Sequence, residues 1–231
     1  MVSIIIPTYN EADRIEQTIS NIKNLSTEHE TEIIVVDGGG TDNTILIAEN
    51  SGAKTLLSDR KGRAAQMNKG ASIAKGEILY FLHADSIPPK NFINHISEAT
   101  RKGFTSGCFR LSFDCEHWFL KANAWFTRFN VNAVRFGDQS LFLHKNVFIK
   151  CGGFNENLWM MEDQEIIHRI KKYGKFIVMN AAITTSARKY LDNGIYRMQI
   201  IFYWIWILYY LGYSQQYLLK LHRKLIRKHK L

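Results

Sequence analysis

Four short apolar runs recur in the first eighty or so residues: Val2 to Ile6, Glu32 to Val36, Ala53 to Leu57 and Ile78 to Leu82. The first, second and fourth lack polar alternation and predict strands buried on both faces, and the third predicts a further strand. Between them, apolar residues return every three or four positions. Ile15, Ile19, Ile22 and Leu25 place a helix over Glu11 to Leu25, with acids early, where the helix dipole favours them. Asp42 to Asn50, punctuated by Gly52, and Arg63 to Lys75 predict two more helices. Strand and helix alternating over crossovers of this length predict a parallel sheet covered on both faces. Three of the four strands run out into polar or Gly-rich loops, at Pro7–Glu11, Asp37–Thr44 and His83–Ser86. In a parallel sheet these loops share one edge and line one crevice, where open α/β sheets bind ligands.

The pattern changes after residue 100. Phe104 to Phe113 reads as a strand containing a glycine, Glu116 to Asn132 as an aromatic-rich helix, and Phe136 to Leu143 as another strand. Cys151 to Phe154 reads as a turn. Met161 to Tyr173 reads as a helix with acids in its first turn, and Phe176 to Met179 and Ile183 to Ser186 as short strands. No linker or repeat interrupts the chain, so residues 1–190 are expected to form one domain, with 191–231 as a helical extension. There, Ile200 to Leu211 is apolar on every face, yet as a helix it spans only about 18 Å against a hydrocarbon core of about 30 Å. The segment Tyr217 to Leu231 follows, with Lys220, Arg223, Lys224, Arg227, Lys228 and Lys230, no acid, and Leu218, Leu221 and Leu225 at helical spacing. Two readings stand: a buried helix with a solvated end, or a pair of segments lying on an anionic membrane surface, where Trp and Tyr favour the interface.

Composition narrows the partners. The 231 residues carry a net charge of +9, which invites an anionic ligand. The basic excess is concentrated in the last fifteen residues and no nucleic-acid motif is present, so no nucleic-acid partner is expected; a basic nucleic-acid-binding protein is the rival reading from another class. Three cysteines without a CxxC suit a reducing compartment. The chain opens directly into a strand with no basic leader, so a cytoplasmic location is expected, with peripheral attachment to the inner face of the cell membrane as the membrane-bound variant.

The crevice loops carry the candidate chemistry. Asp37-Gly38-Gly39-Gly40 lacks the spacing of a dinucleotide fingerprint; a carboxylate at a strand end followed by glycines suits hydrogen bonding to a base or ribose, or a capped tight turn. His83 and Asp85 place two metal-competent groups at one strand end, where a hard divalent ion takes one or two carboxylates and completes its shell with phosphate and water; a hydrogen-bonded pair is the plainer reading. Glu162 and Asp163 at a helix start are either dipole-stabilising acids or ligand-facing. Asp138 and Gln139 interrupt an apolar stretch, where unpartnered burial would be costly.

The motif order resembles the family 2 glycosyltransferases of GT-A fold. "VSIIIPTYNEADRIEQTI", "EIIVVDGGGTDNT", "ILYFLHADS" and "CGGFNENLWMMEDQEI" are similar to that family's four signature blocks, in order, over about residues 2–190. "GRAAQMNKGASIAKGE" and "RFGDQSLFLHKNVFIKCGGF" look like a bacterial branch of it. The resemblance implies Pro7, Tyr9 and Glu11 lining a nucleotide pocket, Asp37 at the base, and Arg63, Gln66 and Asn68 beside the nucleotide or donor phosphates. It implies Asp85 as the metal-binding acid of a DxD motif, Asp163 as general base, and Arg188 near the pyrophosphate. Substrate-facing roles are expected for Asp138, Gln139 and Glu162, and His83 is carried as a candidate second ligand. The implied activity is inverting transfer of a sugar from a nucleoside-diphosphate sugar, UDP-sugar favoured, to a hydroxyl of a lipid or glycan acceptor, with Mg²⁺ or Mn²⁺. Two departures matter: Gly38 replaces a second acid after Asp37, and His83 replaces the first acid of DxD. They keep open a non-catalytic or nucleotidyl-transferring sugar-nucleotide-binding protein.

Overall fold

The computed structural model describes residues 1–135 and 137–226. An eight-stranded sheet has the spatial order β3-β2-β1-β4-β7-β6-β8-β5. Its first half alternates strand and helix: β1 (Val2–Thr8), α1 (Ala12–Leu25), β2 (Thr31–Asp37), α2 (Thr44–Asn50), β3 (Lys54–Leu57), α3 (Arg63–Ile73) and β4 (Ile78–Phe81). These four strands pair in parallel. The unbroken apolar runs follow from burial on both faces. Ile4, Ile6, Val35 and Tyr80 pack under α1 and α4 (Phe92–Arg101), while Ile5, Ile34, Val36, Leu79 and Phe81 pack under α3, α6 (Lys145–Lys150) and α7 (Glu162–Ile170).

The second half is mixed. β7 (Leu141–His144) runs antiparallel to both β4 and β6 (Phe104–Phe113), β6 runs parallel to β8 (Lys175–Thr185), and the short β5 (Ser86–Ile87) closes the edge antiparallel to β8. The mostly parallel α/β sheet expected from the sequence is therefore present, with an antiparallel insertion at its middle.

Several element boundaries differ from expectation. The predicted strand over 136–143 is only Leu141–His144; Gly137–Gln139 is a single 3₁₀ turn closed by Ser140 N–H on the Gly137 carbonyl at 2.9 Å, and Ser140 lies at φ 54°. Phe136 lies outside the described residues. The predicted helix over 116–132 is α5 (Trp118–Phe126), because Thr127 turns back: its hydroxyl donates to the Ala124 carbonyl at 2.6 Å and accepts the Leu111 N–H at 2.9 Å. The two predicted strands over 176–186 are one, β8, continuous across a register shift against β6 near Cys108–Arg110, where Arg110 donates to Asn180 Oδ1 at 2.7 Å. Helices α4 and α6 and the short α8 (Arg188–Asn193) were not expected.

The C-terminal helices are α9 (Ile195–Tyr210) and α10 (Gln215–Leu225). α9 is not apolar-buried all round. Met198, Ile201, Ile205 and Leu208 form one stripe that packs with Leu218 and Ile226 and against Met160. Among the described residues no helix is long and apolar enough to cross a membrane. Arg227, Lys228 and Lys230 of the basic tail lie outside the described residues.

Candidate active site

Because β1, β2 and β4 are parallel, their carboxyl ends meet at one edge, and the loops there are held from below by hydrogen bonds. Asp37 Oδ1 accepts the N–H groups of Gly39 and Gly40 at 2.8 and 2.6 Å, and Oδ2 accepts from Thr8 Oγ1 at 3.2 Å. Gly39 takes φ 86°, a left-handed conformation that a side chain would strain. Asn10, also left-handed at φ 54°, accepts the Thr41 N–H at 2.8 Å and ties the first loop to the second. Gln66 reaches under both strands, donating to the carbonyls of Thr8 and Val36 at 2.6 and 2.8 Å. A Cβ at Gly38 would press on that amide at 3.1 Å, so an acid there would require the Gln66 side chain to shift by a few tenths of an ångström.

Above these loops opens a cavity of about 620 Å³, bordered by Pro7, Tyr9 and Glu11 of the first loop and by Arg63 and Gln66 of α3. His83, Asp85, Asp138 and Arg188 complete the predicted members of its wall. The loop bearing Asp85 is fixed on three sides: Thr18 Oγ1 donates to the Ala84 carbonyl at 2.6 Å, Ser186 N–H to the Asp85 carbonyl at 3.1 Å, and Ser86 pairs with Thr185. That pairing brings Arg188 and Lys189 to the same edge.

A second cavity of about 350 Å³ adjoins it, and Asp163 lies in its wall. Arg63, Asp138, Met160, Lys189 and Phe202 line both. Its other walls are largely apolar, including Leu111, Phe113, Phe126 and Tyr203. At the junction the backbone of Gly137 passes very close to the site. A Cβ there would meet Asp163 Oδ2 and, at 2.9 Å, His83 Cε1, so only glycine lets Asp163 and His83 approach each other. Asp163 itself follows Met161, a bulky residue held at φ 67° just before α7. Such a backbone costs on the order of 1–3 kcal/mol and persists where the surroundings enforce it.

Charges in this region are strongly coupled. His83 Nδ1 and Asp138 Oδ1 are 3.0 Å apart. Burial pulls the His83 imidazole down, but the hydrogen bond to Asp138 and the Asp138 and Asp163 charges outweigh both burial and Arg63, leaving it raised. Burial pushes Asp138 up, yet its bond to His83, with Lys189 and Arg63 nearby, brings it down to about 2. Glu162 is buried, its Oε1 2.8 Å from Arg63 Nε. Beyond that ion pair its carboxylate has no hydrogen-bond partner among the described residues. Burial, with Asp163 adding to it and Arg63 opposing, raises Glu162 to about 7. Lys189 is lowered by burial, against the pull of Asp138.

Four predicted site residues do not line either cavity. Asp37 lies beneath the loop whose N–H groups it accepts, and Glu162 pairs with Arg63. Asn68 faces away: its amide donates to the Phe154 carbonyl and Glu156 Oε1, both at 2.9 Å, and accepts the Phe154 N–H at 2.8 Å. Gln139 points into β6, donating to the Phe109 carbonyl at 3.0 Å. Conversely, the structure adds Lys189, Trp159, Met160 and Phe202 to the cleft. Lys189 stands next to the predicted Arg188, Trp159 and Met160 fall inside the fourth signature block and Phe202 inside the apolar run Ile200 to Leu211, yet none of them is an expected site residue. Among the described residues no group of three His, Cys, Asp or Glu side chains forms a metal site on its own.

Comparison with known proteins gives one consistent result. The family model described as Glycosyl transferase family 2 matches residues 3–155. A glycosyltransferase of Rickettsia bellii is 38% identical over 84 residues, 36% of this chain and 27% of that protein. The glycosyltransferase GlyG of Streptococcus pneumoniae is 30% identical over 108 residues, 44% of this chain and 36% of that protein. The chain thus matches about a third of the length of these relatives. Among solved structures, the mannosyltransferase PcManGT of Pyrobaculum calidifontis, in complex with GDP-Man and Mn²⁺, superposes with a TM-score of 0.69 at 19% identity, covering 88% of this chain and 61% of that one. S. aureus TarS gives 0.66 at 18% identity, over 80% of this chain and 36% of that one. At these identities the likeness is one of fold, and the fold is GT-A.

Proposed function

Because the chain belongs to glycosyl transferase family 2, we propose that its cleft moves a sugar from a nucleoside-diphosphate sugar to an acceptor hydroxyl in one inverting displacement. The observation that most supports this is the meeting of two cavities across Arg63, Asp138 and Lys189, with Asp85 in one wall and Asp163 in the other. The donor occupies the larger cavity, its nucleoside over the Pro7–Glu11 loop. Arg63, Arg188 and Lys189 bind the diphosphate and hold it as negative charge builds on the departing oxygen, the kind of preorganised cationic clamp that stabilises leaving phosphates. The acceptor enters the smaller cavity, and Asp163 Oδ2 takes the proton of its attacking hydroxyl; a positioned base of this kind contributes roughly 10²–10⁴-fold. Glu162, raised to about 7 by burial, pairs with Arg63 rather than with the reacting groups. His83 bridges the two halves through Asp138 and orients it. No covalent intermediate is needed.

The donor set fits a divalent ion shared with the substrate. Asp85 is a carboxylate on a fixed loop, and Asp138 lies in the same cavity, but His83 has its Nδ1 engaged by Asp138. Asp85 would therefore hold Mg²⁺ or Mn²⁺ together with donor phosphate oxygens and water, in keeping with the Mn²⁺ in the PcManGT complex. When bound, the ion neutralises charge on the leaving diphosphate, an effect worth several kcal/mol. The test is a thermal-shift screen of UDP, GDP, CDP and dTDP and their sugars, with Mn²⁺, Mg²⁺ or chelator. A ligand that binds the folded chain raises its apparent stability by mass action. One base family should stabilise the protein in a metal-dependent way, and stabilisation by none of them overturns the proposal. Binding of a sugar nucleotide with no transfer or donor hydrolysis would instead favour a non-catalytic binder, the reading that His83 in place of an acid keeps in view.

A further inference from the structure

Outside the cleft, the molecule's most unusual feature is the outward face of α9. Its inner stripe packs into the third core cluster, but Tyr196, Ile200, Tyr203, Trp204, Ile207 and Tyr210 on the opposite arc are all exposed, and Ile200 reaches 67%. A helix packed on the sheet and left to face water would present polar residues there. The apolar surface does not end with α9. Tyr203 Oη donates to Asn123 Oδ1 at 3.1 Å, and the Tyr196 ring lies tilted against Phe119 with centroids 4.9 Å apart, so α5 lies along one edge of α9. α5 and the turn after it add exposed Trp118, Trp125, Phe126 and Phe129. Along the other edge Arg197 donates to the Leu225 carbonyl at 2.6 Å, fixing α10, whose Lys220, Arg223 and Lys224 are exposed. Arg128 lies over the Trp125 ring at 4.4 Å. The acids near this face are few: Glu116 is paired with Lys121, and Asp114 accepts the Ala187 N–H at 2.7 Å.

We propose that the joined faces of α5 and α9 form a membrane-docking surface that seats on an anionic lipid leaflet, with the cations of α10 at its rim. Three observations select a leaflet over a protein partner. Trp and Tyr dominate the face, and these side chains favour the boundary between headgroups and acyl chains. The flanking charge is positive, which complements anionic headgroups. The face is also continuous with the smaller cavity, since Phe126, Asn123 and Tyr203 belong to both. The latch is direct: Trp206 Nε1 and Tyr210 Oη both donate to Gln164 Oε1 at 3.1 Å, one residue from Asp163. On the function proposed above, an acceptor resident in that leaflet reaches Asp163 without leaving it; the docking itself does not depend on that function.

The experiment uses the full chain and two kinds of vesicle, one of phosphatidylcholine alone and one with a third phosphatidylglycerol. The protein should float with the anionic vesicles, and brominated acyl chains should quench its tryptophan fluorescence. The paired substitution Ile200→Glu and Trp204→Glu, at two exposed positions, should lower anionic-vesicle partition at least tenfold. Stabilisation by nucleoside diphosphates, measured in parallel, should not change, so that a failed docking and a failed nucleotide site are read separately. Partition that is unchanged in the variant, or absent in the parent protein, overturns the proposal. Self-association that the same pair abolishes, with vesicle partition unaffected, also overturns it and assigns the face to a second copy of the chain.

Discussion

The two cavities that meet at Arg63, Asp138 and Lys189 are built in different ways. The larger one rests on the carboxyl ends of parallel strands whose loops are pinned by their own backbone and by Asp37, Asn10 and Gln66. The smaller one is walled by α5, the 3₁₀ turn at Gly137 and Gln199, Phe202 and Tyr203 of α9, and is held by side chains reaching across long sequence separations, such as Gln164 to Trp206 and Tyr210. A preformed, polar-floored site suits a ligand that keeps the same diphosphate in every reaction. A largely aromatic site walled by helices suits, on the function proposed above, the component that differs between enzymes of one fold. On the same proposed function, donor recognition would belong to the sheet and acceptor recognition to the elements laid over it.

The sharpest way to break that division is Asp163→Asn. The substitution keeps shape and removes the base, so turnover should fall by roughly 10²–10⁴-fold while nucleoside-diphosphate stabilisation stays as in the parent. Steady-state transfer and thermal shift, measured side by side, check it; unaltered turnover removes Asp163 from the reaction. The mirror experiment is Asp85→Asn, on the donor side. Here the metal-dependent part of the nucleotide stabilisation should vanish and kcat/KM should drop roughly 10²-fold, the smaller end of what a lost ion contribution of several kcal/mol implies. A metal response that survives in this variant moves the ion elsewhere.

Glu162 tests how burial tunes the boundary. Its folded-state value of about 7 lies above the ordinary 4.5. Below about pH 4.5 the carboxyl is protonated folded or unfolded and costs nothing. Between pH 4.5 and 7 the unfolded chain releases the proton and the folded one retains it, so stability falls as pH rises, and levels off above 7. Across the full window the loss is roughly 3–4 kcal/mol at about 1.4 kcal/mol per pH unit, of which roughly 2–3 kcal/mol falls between pH 5 and pH 8. Denaturant unfolding of the parent and of Glu162→Gln at pH 5 and pH 8 should show the parent losing this much more than the variant. Parallel pH profiles would place Glu162's charge in water.

Sequence and structure agree most where local pattern and burial coincide. The runs at Ile4–Ile6, Ile33–Val36 and Leu79–Phe81 read as strands because they alternate between two apolar layers. The exit loops read as a ligand edge because parallel pairing leaves their polar ends together. What local pattern did not carry was placement that depends on distant partners. Lys189 reaches the cleft only because β5 pairs with β8 and sets the chain direction into α8. Gly137 matters because His83 and Asp163, on either side of it in the sequence, converge on it in space. Phe202 and Trp159 line the cavity because α9 and α10 fold back, Gln215 accepting the Trp159 and Met160 N–H groups at 3.0 and 3.1 Å. The strand expected at Phe136–Leu143 failed for a related reason, because Ser140 and the 3₁₀ turn aim Asp138 at His83 instead of continuing the sheet.

Asn68 supplies the smallest effect and the cleanest contrast with Gln66, two positions away on the same helix. The resemblance puts both beside the donor, but a helix turns its side chains by about 100° per residue, so residues two apart face nearly opposite ways. Gln66 accordingly reaches under β1 and β2 at the cavity floor, whereas Asn68 clasps the Phe154–Glu156 segment leading toward Trp159 and Met160. Asn68→Ala removes both sides of that clasp and leaves the Phe154 N–H and carbonyl without their partner. The expected loss is about 2 kcal/mol of stability, a fall in Tm of roughly 4–8 °C for a chain of this size. The donor KM should stay within about twofold, because the wall of the larger cavity does not include Asn68. A tenfold rise in donor KM with little change in Tm would reverse the assignment and return Asn68 to the phosphates.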